Sequence, residues 1–144
     1  MPSSRPFSGA TGVPAPVVGQ TGVMARARID DGAGTVAVRA ALAEGANASR
    51  DIRAKAVRYT LQLLAEQAEG NTLEVRVPPF GATQCMAGPR HTRGTPPNVV
   101  ETDAATWLAL ATGALTWAEG VATGAIHASG QRANLTGLVP VLPL

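Results

Sequence analysis

Cys85 precedes His91 by six positions, and a thiol beside an imidazole is the smallest set that could carry out acyl transfer. The pair would need His91 to swing from a loop to the side of a strand, and no neighbouring residue would orient its ring. Cys85 is the only cysteine and His127 the only other histidine, so no set with metal-ligand spacing can be drawn. Phosphate loops of the GxxxxGK(S/T) type, GxGxxG, GxSxG and CxxC are all absent. Cys85 therefore reads as a small buried hydrophobe, and the sequence assigns no catalytic residue, metal or cofactor.

Two other groups of residues point to binding. Arg90, His91 and Arg93 concentrate donors in a loop, where they would meet a carboxylate or phosphate at a pocket mouth, or else tie the loop to nearby strand ends. Trp107 and Trp117 stand on consecutive helices and serve either as core anchors or as walls of an apolar cavity. Leu61, Leu64, Met86, Leu110 and Val121 would complete such a lining, and they are equally consistent with plain packing.

The elements that must position these residues follow from caps and periodicity. Asp30 and Asp31 can cap a first helix running to about Glu44, with Val38 and Leu42 on one face and Gly45 to end it. Ser49 caps a longer helix over residues 50–69. There Ile52, Ala56, Tyr59 and Leu63 form one apolar stripe and Val57, Leu61, Leu64 and Ala68 another, while Asp51, Lys55, Arg58, Gln62, Glu66 and Glu69 share the remaining edge. Such a helix lies over a sheet with another helix beside it.

Residues 72–77 alternate Leu73, Val75 and Val77 against Glu74 and Arg76, the period of a strand with one buried face. Pro78 and Pro79 stop it, Phe80 and Gly81 turn the chain, and residues 82–87 return as a hairpin partner. Residues 98–102 form another short strand. Asp103 caps a helix closing at Gly113, and Thr116 with Glu119 forms a capping box for a short helix that ends at Gly124. Residues 126–128 read as a last strand, and the apolar tail with Leu135, Leu138, Val139, Val141 and Leu142 is expected to pack down.

Composition bounds what this framework can be. A chain of 144 residues fits one core. Aromatics are only 3%, so that core is built from Ala, Val and Leu, small pieces that can leave a hollow. The formal charge of +2 is scattered, which implies no nucleic-acid partner. One cysteine cannot make an internal disulfide, and the reducing cytosol is the expected compartment. No stretch approaches the ~20 apolar residues of a membrane span. Residues 1–23, rich in Pro, Gly and Ser, read as a disordered arm before a domain at 24–144, with Met24 an alternative natural start.

The segment 90–130 (RHTRGTPPNVVETDAATWLALATGALTWAEGVATGAIHASG) resembles the sterol carrier protein family, in particular its short bacterial orthologues. The likeness lies in the order of a strand ending at Asp103, a helix with Trp107, Leu108 and Leu110 closing at Gly113, a helix with Trp117, Ala118 and Val121, and a strand before Ser129-Gly130. Arg58-Tyr59-Thr60 and the run from Val75 to Gly81 add to it. The resemblance implies an α+β fold, a small mixed β-sheet covered by helices around an apolar pocket. It implies carriage of a fatty acyl, sterol-like or other apolar small molecule without catalysis. The rival expectation is an interaction module with a filled core, acting beside an enzyme.

Overall fold

The computed structural model describes residues 27–88 and 98–144. Helix α1 (Asp31–Glu44) starts where the Asp30 carboxylate accepts from the Ala33 amide at 3.0 Å, meeting one of the N–H groups that a helix start leaves free. Ser49 does the same for α2 (Arg50–Gln67), with Ile52 as donor at 3.1 Å. Asp103 caps α3 (Ala104–Thr112) through the Thr106 amide at 2.8 Å. Thr116 and Glu119 form the expected reciprocal capping box at the start of α4 (Trp117–Ala122).

Four strands, β1 (Leu73–Val77), β2 (Gly81–Cys85), β3 (Asn98–Thr102) and β4 (Ile126–Ser129), form one mixed sheet in the order β2-β1-β3-β4. The outer pairs are antiparallel, and β1 runs parallel to β3 with Val75 opposite Val100. Leu73, Val75, Val77, Val100 and Cys85 turn to a buried side, while Arg76 and His127 are exposed. The α+β class and the mixed sheet expected from the sequence are therefore present.

α2 is the central helix. It packs against α1, β2 and α3, which accounts for both of its apolar stripes. Gly34 of α1 is so close to Tyr59 that an added Cβ would fall 2.3 Å from the ring. The chain just before α1 is tied to α2 by the Gln62 amide, which accepts from the Ile29 N–H at 2.8 Å and donates to the Ile29 carbonyl at 2.9 Å. The tail packs down as expected. Leu135 is fully buried, and the Val141 and Leu142 amides both donate to the Ala111 carbonyl at 2.9 Å.

Three local expectations need correction. α2 ends at Gln67 rather than Glu69, and β2 ends at Cys85 rather than at residue 87. One cause serves both: Met86 takes a left-handed backbone (φ 73). From there its N–H donates to the Ala68 carbonyl and its own carbonyl accepts from Thr72, so the strand end is spent on closing the helix. Leu42 does not share Val38's burial. The buried stripe of α1 is Gly34, Ala37, Val38 and Ala41, and Leu42 is left 42% exposed on the rim of a hollow.

Candidate ligand-binding cleft

The ends of three helices meet around a concavity of about 420 Å³, within the range of small-molecule sites. α1 supplies Ala41 and Leu42, and the short 3-10 turn after it supplies Gly45 and Ala46. α2 supplies Arg53, and α3 with its cap supplies Asp103, Ala104, Ala105 and Leu108. Ala41 and Leu108 are buried and make the floor, whereas Leu42, Gly45, Ala46, Asp103 and Ala105 are exposed and make the rim. The hollow exists because five of these positions are Ala or Gly, too short to bridge the gap between helix ends.

Arg53 is the cation of this wall. Its Nε is buried and finds no hydrogen-bond partner among the described residues, and its Cζ stands 5.7 Å from the centroid of the Phe80 ring. Arg50 shares that ring at 5.6 Å, and Arg58 donates through Nε to the Phe80 carbonyl at 3.0 Å. Phe80, buried in the turn between β1 and β2, thus organises three arginines of α2 by cation–π contact and hydrogen bonding. Across the cleft, Asp103 Oδ1 is engaged by the Thr106 amide.

A second hollow of about 260 Å³ lies between the start of α4 and the tail, lined by Leu115, Trp117, Val139 and Pro140 among others. A third, of about 250 Å³, includes Glu101 and His127, which face each other across β3 and β4.

Most of the residues expected to line one pocket are gathered in the packed core, with Met86 and Trp117 against it, rather than around these hollows. Leu61, Leu64, Trp107 and Leu110 are buried in the packed core and border none of these three hollows. Trp107 is held there by its own hydrogen bond, Nε1 donating to Thr60 Oγ1 at 2.8 Å. Met86 is half-buried and serves through its backbone. Trp117 borders the second hollow, and Val121 is 46% exposed because α4 buries only Gly120. Arg90, His91 and Arg93 lie outside the described residues.

Arg53 was not among the expected site residues, yet a signal for it exists. It stands four, seven and eleven positions before Val57, Thr60 and Leu64, all buried, so a charge opens a stripe that is otherwise enclosed.

Cys85 has no accessible surface, and burial pushes its thiol up to about 11. It stays protonated near neutrality and is a poor nucleophile. Among the described residues no three His, Cys, Asp or Glu side chains gather as a metal site, and no helix is long and apolar enough to cross a membrane.

Comparison with curated proteins gives no match. Comparison with protein families matches residues 49–141 to the family described as bacterial SCP ortholog. The match runs from the cap of α2 through the whole sheet to the tail, so it takes in the α2 and α3 walls of the cleft and leaves the α1 wall outside. On that span the chain belongs to the bacterial orthologues of the sterol carrier proteins.

Proposed function

We propose that this domain reversibly holds an apolar small molecule of lipid type in the cleft between α1, α2 and α3, and does not transform it. The observation that carries the reading is a 420 Å³ hollow floored by Ala41 and Leu108 in a member of a carrier-type family. Each apolar area removed from water there contributes about 25 cal/mol per Å². The starts of α2 and α3 beside it are fixed by the side-chain caps of Ser49 and Asp103, and the end of α1 by the Gly45 N–H, which donates to the Ala41 carbonyl.

Native mass spectrometry of the freshly purified chain, followed by melting curves with fatty acids, acyl thioesters and sterols, tests this. A ligand at one hundred times its dissociation constant should add about 2.7 kcal/mol to the unfolding free energy. Ala105→Trp, placed on the exposed rim, should fill the hollow and remove that gain while leaving the unliganded fold in place. If no lipid co-purifies and no compound shifts the melt, the carrier reading fails and an interaction module takes its place.

A further inference from the structure

Val36 of α1 is 67% exposed, the most exposed large apolar side chain among the described residues. It borders a groove of about 250 Å³ that α1 and α2 form together, apart from the cleft, with Ala37, Ala40 and Ile52 as its apolar surface and Asp51 and Lys55 on its rim. α1 already buries Gly34, Ala37, Val38 and Ala41, which is the one apolar stripe a surface helix needs. A second apolar surface left in water marks a place of association.

The rim charges decide which partner fits. Asp51 and Lys55 stand four positions apart on α2, so they are neighbours on one face of the helix. Both are exposed, and neither forms an ion pair among the described residues. A partner of uniform charge, such as a nucleic acid or an anionic bilayer, gains at one of the two and loses at the other. A second copy of this chain meets no such conflict. About a two-fold axis passing between the two residues, Asp51 of each copy faces Lys55 of the other, and the two apolar grooves face each other with their Val36 side chains. We propose that this groove is the contact through which two copies of the chain associate, its apolar surface covered by the mate and its rim closed by two reciprocal Asp51 to Lys55 pairs. Two facing grooves make a small interface, so the dimer is transient and depends on concentration.

Sedimentation equilibrium of the full chain tests this. The average mass of the parent should rise from 14.6 kDa toward twice that value as concentration increases. Val36→Asp places a charge in the groove and should leave the chain monomeric. Lys55→Glu sets acid against acid at both rim pairs, and Asp51→Lys sets base against base, so each should raise the dissociation constant by about tenfold or more. An equimolar mixture of those two variants restores both pairs and should associate as the parent does. Val36 and Lys55 lie on exposed helix surface, so their variants are decisive even where Asp51→Lys, in the first turn of α2, weakens the fold; melting curves show which chains are folded. A parent that stays monomeric up to about 1 mM overturns the proposal. So does a dimer indifferent to Val36→Asp and Lys55→Glu, or a mixture of folded variants no more associated than either alone.

Discussion

The Trp107 indole N–H donates to Thr60 Oγ1 at 2.8 Å, and the same hydroxyl can donate onward to the Ala56 carbonyl at 2.8 Å. Both side chains are fully buried, so Thr60 is a relay that lets α3 place a large indole against α2 without leaving its one polar atom unpaired. Thr60→Val keeps the shape and removes the acceptor. The expected cost is about 1 to 3 kcal/mol, the penalty of an unsatisfied buried donor. Urea denaturation measures it. Adding Trp107→Phe to that background should cost less than Trp107→Phe does alone, because the donor it removes is already stranded.

Gly34→Ala inverts the usual rule for helices. In an exposed helix interior, Ala in place of Gly stabilises by roughly 1 kcal/mol. Here the new Cβ would fall 2.3 Å from the Tyr59 ring, and Tyr59 is held in turn by its hydroxyl, which donates to Asp31 at 2.9 Å. α1 must therefore back away from α2. Thermal melting should show a loss of about 1 to 3 kcal/mol, as for other overpacked contacts. A melting temperature at or above that of the parent would mean the two helices slide apart without penalty.

Acid should loosen the same corner. The Tyr59 hydroxyl, and after it Arg28, hold the Asp31 carboxyl below its ordinary range, and Arg28 does the same for Glu66. A folded-state value that is depressed contributes stability above the unfolded value and loses it as pH falls through the folded one. Stability should thus decline as pH drops below about 4. In Arg28→Gln that decline should be shallower, and moderate salt should shrink the difference, since these groups are solvent-exposed. Urea midpoints measured at several pH values check the sign, and an unchanged slope in the variant would refute the assignment.

What the sequence made legible was local. Asp30, Ser49, Asp103 and Thr116 each stand where a cap was expected, because capping depends on residues three positions apart. β1 was readable from the alternation of Leu73, Val75 and Val77 for the same reason. The cleft was not. Apolar periodicity marks which residues leave water, and Leu61, Leu64, Trp107 and Leu110 did leave it. It does not say where neighbours fail to fill the space. That failure arises among Ala41, Gly45, Ala46, Ala104 and Ala105, residues too small to register in any pattern and far apart in the chain. Met86 shows a further limit, since nothing in its side chain announces a left-handed backbone.

The parallel pairing of β1 with β3 has a consequence for the order in which the molecule assembles. α1 with α2, and β1 with β2, join neighbours in the chain and can form early, whereas the pairing of β3 with β1 and the docking of α3 on α2 join segments far apart in the chain. The cleft takes walls from α1 and α2 and another from α3, so it is complete only once α3 has reached α2. A ligand seated in it stabilises the finished fold and not the barrier that precedes it. Its effect falls on the rate of unfolding, which slows, while the refolding rate stays as it is in the empty protein.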